Sequence, residues 1–308
     1  MSELKKVIAV VGPTASGKTA LGIHLAKKYN GEVVSCDSMQ VYNNMPIASA
    51  APSVEETDGV VHHLIGFLGP ETKFSVADFI NCATVVIEEI FSRGKLPIIV
   101  GGTGLYIDSL ISGISFNDEN SEPIRQELEK RADREGIEAL IKELQEIDPK
   151  TASRYHVNDR KRIIRALEIY KLHGKTKTQL DFESKLKGDR YDCLWIGLTY
   201  SDREKLYDRI NKRVDIMLEN GLINEAETAY KSSAGNTSVQ AIGHKEFFPY
   251  FKGEISLETA VENLKTETRH YAKRQITWFK RNEKINWIYA DCVADNFASA
   301  DCIVEDNF

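Results

Sequence analysis

Five apolar residues, Val7-Ile8-Ala9-Val10-Val11, run straight into Gly12-Pro13-Thr14-Ala15-Ser16-Gly17-Lys18-Thr19. The octapeptide fits G-x-x-x-x-G-K-[ST], a loop whose glycines let several backbone amides converge on one point. A β-rich run apolar at every position reads as a strand buried on both faces. The stretch from Thr19 to Tyr29, with Leu21, Ile23, Leu25 and Ala26, reads as a helix. A helix starting there adds the positive end of its dipole to the converging amides. Lys18 supplies a charge for phosphate oxygens, and the Thr19 hydroxyl is placed to hold Mg²⁺. Gly12, Pro13, Thr14, Ala15, Ser16, Gly17, Lys18 and Thr19 are therefore the candidate phosphate cradle. The motif specifies phosphate, not which phosphate compound.

Such a loop needs a sheet behind it, and the sequence supplies one. Glu32-Val33-Val34-Ser35-Cys36 reads as a second strand ending at Asp37, and Leu96-Pro97-Ile98-Ile99-Val100 as a third ending at Gly101-Gly102. Between them, Val76 to Ser92 places Phe79, Ala83, Val86, Ile87 and Ile90 on one helical face, and Gly94 stops it. Alternation of strand and helix implies an α/β fold with a parallel sheet. Ligands of open α/β sheets bind at the carboxyl edge of the strands. Asp37 and the turn Gly101-Gly102-Thr103-Gly104 arrive at that edge. By position alone Asp37 is a metal ligand, a general base or a cap, and the glycine turn is a ligand contact or a tight connection.

From about Asn117 the pattern turns helical and charged, over 122–146 and again over 159–173, closed by Gly174. Cys193-Leu194-Trp195-Ile196-Gly197-Leu198 looks like a strand returning to the sheet. Helices dominate from Ser201 to Lys280, and Asn286-Trp287-Ile288-Tyr289 reads as a last strand. The expected organisation is a P-loop NTPase-like parallel-sheet core, with helices on both faces, in segments. Residues 1–116 form its first part, 117–190 a helical segment, and 191–215 a return strand and helix. A helical insertion follows over 216–260, and 261–308 holds a C-terminal helix, the last strand and an acidic tail expected to be peripheral.

The net charge of −6 argues weakly against a nucleic-acid partner. Local clusters decide more than the average. Arg160-Lys161-Arg162 with Arg165, and Arg269-His270 with Lys273-Arg274, Lys280-Arg281 and Lys284, are two of them. Five cysteines without a C-x-x-C pair fit reduced thiols in the cytoplasm and give no zinc site. No apolar run approaches the ~20 residues of a membrane span, so no membrane partner is expected.

Set in order, several segments resemble the tRNA dimethylallyltransferases, also called tRNA isopentenyltransferases, of bacterial type. They are Gly12–Thr19, Asp37-Ser38-Met39-Gln40-Val41-Tyr42, His62-His63-Leu64, Phe74-Ser75-Val76-Ala77-Asp78-Phe79 and Val100-Gly101-Gly102-Thr103-Gly104-Leu105-Tyr106. Further on come Asn158-Asp159 with Arg162, Arg165-Ala166-Leu167-Glu168, Arg209-Ile210 with Arg213 and Met217, Gln240-Ala241-Ile242-Gly243, and Ala272-Lys273-Arg274-Gln275 with Thr277-Trp278. The resemblance covers about residues 7 to 281. Three places depart from it. Ala48-Ser49-Ala50-Ala51-Pro52 lacks the lysine usual in that run, Gly66 replaces a common acidic residue, and His244 replaces a tyrosine.

The resemblance implies transfer of a dimethylallyl group from dimethylallyl diphosphate to N6 of the adenosine 3′ of the anticodon in tRNA, with Mg²⁺ as cofactor. It makes Asp37 the general base, Thr103 a nucleotide-orienting hydroxyl and Arg213 a stabiliser of the leaving diphosphate. It assigns tRNA contacts to Asp37, Ser38, Met39, Gln40, Thr103, Lys161, Arg162, Ile163, Ile164, Arg165, Gln240, Lys273, Arg274 and Gln275. The expected partners are the tRNA anticodon stem-loop and dimethylallyl diphosphate, and the expected state is a monomer. Two rivals use the same loop: a small-molecule (nucleotide) kinase binding ATP, and a non-catalytic nucleotide-dependent RNA-binding switch.

Overall fold

A computed structural model describes residues 4–113, 122–232 and 241–308. The chain divides into two compact units, one formed by residues 1–111 with 191–308 and the other by 112–190.

The first unit is built on six strands: β1 (Lys6–Val11), β2 (Gly31–Ser35), β3 (His62–His63), β4 (Leu96–Gly101), β5 (Asp192–Thr199) and β6 (Asn286–Tyr289). Their order is β3-β2-β4-β1-β5-β6, and every pairing is parallel. Helix α1 (Lys18–Lys28) follows the glycine loop, and α2 (Val76–Ser92) and α3 (Gly104–Ile111) flank β4. Ser75 and Asp78 cap α2 reciprocally, which fixes where that helix begins. Ile8, Val10, Val33, Ile98 and Ile196 pack with Leu21 and Leu25 of α1. Val7, Ala9 and Val11 point the other way and are equally buried, so both faces are covered.

The second unit holds α4 (Glu122–Glu135), α5 (Ile137–Ile147), α6 (Pro149–Ala152), α7 (Arg160–His173) and α8 (Lys177–Lys187). The helix expected over 122–146 is two helices, because Gly136 takes φ 83 between them. Leu128, Leu140, Leu144, Ile163, Ile164 and Leu167 form this unit's core. Asp148 ties the bundle together, accepting from the Thr151 and Thr178 amides and from the Thr178 hydroxyl.

The chain then returns to the first unit through β5 and continues in α9 (Arg203–Glu219), α10 (Leu222–Lys231), a 3-10 turn at Lys245–Phe247, α11 (Phe248–Phe251), α12 (Leu257–Phe279) and α13 (Asn296–Asn307). Two expected junctions are corrected. The 215/216 boundary falls inside α9 and the 260/261 boundary inside α12. The C-terminal tail is also not peripheral: Ala300 and Val304 of α13 are buried in the cluster that contains Leu21 and Leu25. The tail's acidic residues pair with α1, Asp301 with His24 and Lys28, and Glu305 with Lys28.

Candidate active site

Because the strands are parallel, Val11, Ser35 and Gly101 all end at one edge, and the loops after them meet there. Gly12 takes φ 142, and a side chain on it would strike the Leu198 carbonyl oxygen at 2.2 Å, so only glycine fits beside β5. Ala15 at φ 62 and Gly17 at φ 103 complete the turn that aims the loop amides inward. Lys18 folds back over the loop and donates to the Pro13 carbonyl at 2.6 Å. Thr19 is exposed at the start of α1.

A single cavity joins the cradle to the other two loops. Thr14, Lys18, Thr19, Asp37, Gln40, Gly102, Arg213, Tyr271 and Gln275 line it. Burial, and next the positive charge of Arg213, bring the Lys18 ammonium down to about 7, against the pull of Asp37. Arg213 is held below the usual arginine range by its own burial, with Asp37 and Glu56 opposing. Two desolvated cations beside one carboxylate is an arrangement that favours an incoming polyanion.

Asp37 begins a tight turn: its Oδ1 accepts from the Met39 amide at 2.8 Å and the Gln40 amide at 3.4 Å. Thr103 Oγ1 accepts from the Ser38 amide at 3.2 Å, which joins the glycine turn to the Asp37 loop. Gln40 lines the cavity but commits its carboxamide to the Ser35 hydroxyl and the Ser49 and Ala50 carbonyls. Met39 and Ser38 are half-buried beside it. Arg209, one turn before Arg213, donates to the Ala15 carbonyl at 3.0 Å and lies over the Tyr200 ring. It holds the cradle from outside.

The glycines of the third loop have a local cause. Tyr271, Gln275 and Trp278 form an i, i+4, i+7 stripe on α12 that packs against this loop. A side chain at Gly104 would meet Trp278 at 2.2 Å, and one at Gly101 the Cys36 carbonyl oxygen at 2.0 Å. Trp278 donates its indole N–H to Asp108 at 2.6 Å. Burial, and next the negative charge of Asp37, raise the Tyr271 hydroxyl above its usual range. Sequence reasoning missed Tyr271 as a lining residue, although its four-residue spacing to Gln275 was there to read.

The expected RNA contacts fare differently. Lys161 and Arg162 on α7 are exposed, and Arg165 is half-buried and paired with the buried Glu168, as is Arg125. Lys273 and Arg274 on α12 are exposed. Ile163 and Ile164 are corrected: at 0% and 4% exposure they belong to the core of their unit and cannot touch RNA. Gln275 is corrected as well, since it is buried and spends both ends of its carboxamide inside the protein. Gln240 lies outside the described residues.

The parallel sheet, the glycine cradle and the carboxylate in the same cavity define a chain of the P-loop NTPase-like fold. Residues 40–282 match the IPP transferase family, and residues 5–65 match isopentenyl transferase. The chain is 48% identical to the tRNA dimethylallyltransferase of Acetivibrio thermocellus, over 94% of its own length and 93% of that protein's. It is 47% identical to that of Caldanaerobacter subterraneus subsp. tengcongensis, over 93% and 92%. Among solved structures, the full-length tRNA isopentenylpyrophosphate transferase of Bacillus halodurans superposes with a TM-score of 0.72 at 44% identity, covering 98% and 97% of the two chains. A eukaryotic dimethylallyltransferase acting on tRNA superposes at 0.83, with 34% identity and coverage of 98% and 79%. The chain belongs to the tRNA dimethylallyltransferase family.

Proposed function

We propose that this chain transfers a dimethylallyl group from dimethylallyl diphosphate to N6 of the adenosine immediately 3′ of the anticodon in tRNA, releasing diphosphate. The observation that carries the reading is that Asp37 shares one cavity with Lys18 and Arg213. When the allylic C–O bond breaks, negative charge builds on the diphosphate. The loop amides, Lys18 and Arg213 meet it where it develops. On the other side the exocyclic nitrogen forms the new C–N bond and gives up a proton to Asp37. A positioned base of this kind contributes ~10²–10⁴-fold. Thr103 orients the nucleotide, and Ser38 and Met39 flank it. An adenosine in a loop leaves its stack at a cost of a few kcal/mol, lower than in a duplex.

Among the described residues no three His, Cys, Asp or Glu side chains cluster as a cation cage. Mg²⁺ commonly takes one or two protein ligands and completes its shell with phosphate oxygens and water. The Thr19 hydroxyl on the cavity wall fits that pattern. Bound there with the diphosphate, Mg²⁺ would neutralise part of the leaving group's charge.

Lys161, Arg162 and Arg165 on α7, and Lys273 and Arg274 on α12, are read as phosphate contacts to the tRNA. No described helix is long and apolar enough to cross a membrane. The protein is taken to act as a monomer in the cytoplasm. The test is mass spectrometry of an anticodon stem-loop RNA incubated with dimethylallyl diphosphate and Mg²⁺. The expected product is one added dimethylallyl group on the target adenosine. Unchanged RNA, or phosphoryl transfer with ATP in its place, would overturn the assignment.

A further inference from the structure

Gln275 lies between the two loops that the reaction must keep in register. Its Oε1 accepts from the Thr14 amide at 2.8 Å, and its Nε2 donates to the Gly102 carbonyl at 3.0 Å. One partner is a donor and the other an acceptor, so only one orientation of the carboxamide satisfies both. The side chain is 5% exposed, and 261 positions of sequence separate it from Thr14. Thr14 belongs to the cradle that receives the diphosphate, and Gly102 adjoins Thr103 in the turn that receives the nucleotide. A side chain on Gly102 would meet Gln275 Nε2 at 2.0 Å. The glycine is thus required by the glutamine.

We infer that Gln275 is a positioning residue that spans the cradle and the Gly102–Thr103 turn, setting the leaving group and the acceptor nitrogen at reacting distance. The inference rests on the proposed reaction but makes a separate claim. Gln275 lines the cavity, but both ends of its carboxamide are committed within the protein, so it acts by fixing the separation of two loops and not by binding substrate through its polar atoms. Misplacement of about 1 Å at such a site costs on the order of 10²-fold in rate, and two unmade hydrogen bonds in a buried bridge are enough to permit it.

Gln275→Glu keeps an acceptor for the Thr14 amide but turns a second acceptor toward the Gly102 carbonyl. It is expected to lower kcat ~10²-fold. The KM for dimethylallyl diphosphate and the dissociation constant of the RNA should stay within about threefold. A loss confined to RNA affinity would overturn the inference and make Gln275 an RNA contact. An unchanged kcat in a folded variant would overturn it outright.

A second pair of variants keeps the claim testable if Gln275→Glu unfolds. Gly102→Ala in the wild-type background collides with Gln275 and should lose activity. In Gln275→Ala the nearest remaining atom to the new methyl is the Gly12 carbonyl oxygen at 3.5 Å. There the same substitution should cost nothing further. Additive losses would reject the bridge. Amide exchange supplies a readout free of catalysis: Thr14 should exchange about tenfold faster in Gln275→Met, as expected for one lost hydrogen bond. If wild-type protein forms no product, the functional reading fails, and the exchange rate still decides the bridge.

Discussion

Glu225 Oε1 lies 2.9 Å from His244 Nε2, and the same carboxylate accepts from the Ile47 amide at 2.9 Å and the Ala48 amide at 3.0 Å. The imidazole is fully buried and the carboxylate 9% exposed. Together they anchor the loop before Pro52 to α10 and the 3-10 turn. Gly243, at φ +107, lets that turn approach Ala48. The anchored loop walls the cavities around Lys18. Leaving a buried donor without its acceptor costs about 1–3 kcal/mol. Glu225→Ala should therefore lower the urea midpoint by that order and raise the KM for the allylic diphosphate. A wild-type midpoint would show that the loop is held by something else.

Asp37→Asn tests the base without disturbing the turn. The asparagine carbonyl still accepts from the Met39 and Gln40 amides, so the loop geometry is retained. What is lost is the capacity to take a proton. Single-turnover prenylation should fall ~10²–10⁴-fold, with RNA affinity within a few-fold of wild type. A wild-type single-turnover rate would remove Asp37 from the chemistry.

Lys18 gives a pH prediction with a definite sign. Burial and Arg213 put its free-state value at about 7, against 10.5 for an unperturbed lysine. A bound diphosphate favours the ammonium, so binding above pH 7 takes up a proton. Affinity for inorganic diphosphate should fall as pH rises past 7, by up to about tenfold per unit. Folding responds in the opposite sense. Between about 7 and 10.5 the unfolded chain holds a proton that the native lysine has released, so this group makes stability rise with pH there. Calorimetry in two buffers of different ionisation enthalpy measures the uptake. Lys18→Arg, which keeps its charge, should abolish it.

The sheet was legible because Val7-Ile8-Ala9-Val10-Val11 and Ile98-Ile99-Val100 are unbroken apolar runs that end in glycines, and Val33-Val34 and Leu194-Trp195-Ile196 are shorter runs of the same kind. The cradle was legible because Gly12–Thr19 is a contiguous pattern. Asp37 and Thr103 could be placed because parallel strands deliver their carboxyl ends to one edge. The bridge made by Gln275 was not legible, because its meaning depends on packing between residues 261 positions apart. Ile163 and Ile164 were misread for a related reason. They sit inside a basic segment, and only the helical period separates the exposed Lys161 and Arg162 from the buried face. Two-residue β3 carries too little pattern to announce a strand, and His62-His63 owes its place to pairing with Val33 and Val34.

The C-terminal helix carries the last prediction. Its composition is acidic and repetitive, which reads as a solvated tail, yet Ala300 is 0% and Val304 1% exposed. The reason is spacing: the two small apolar residues lie four apart and meet Leu21 and Leu25, while Asp301 faces His24 and Lys28 on the same helix α1. Because α1 begins at the cradle, α13 buttresses the helix whose N-terminus faces the phosphate. Val304→Ala should cost about 2 kcal/mol through lost burial and the space left behind. Val304→Asp should cost more, since it places a carboxylate with no partner among aliphatic side chains. Asp306, two residues past Val304 and so on the other side of the helix, is exposed, and Asp306→Ala should stay within about 0.5 kcal/mol of wild type. Urea denaturation of the three variants separates the readings. Equal midpoints would return the helix to the role of a peripheral appendage, and a graded loss, greatest for Val304→Asp, would make it part of the scaffold that holds the phosphate loop.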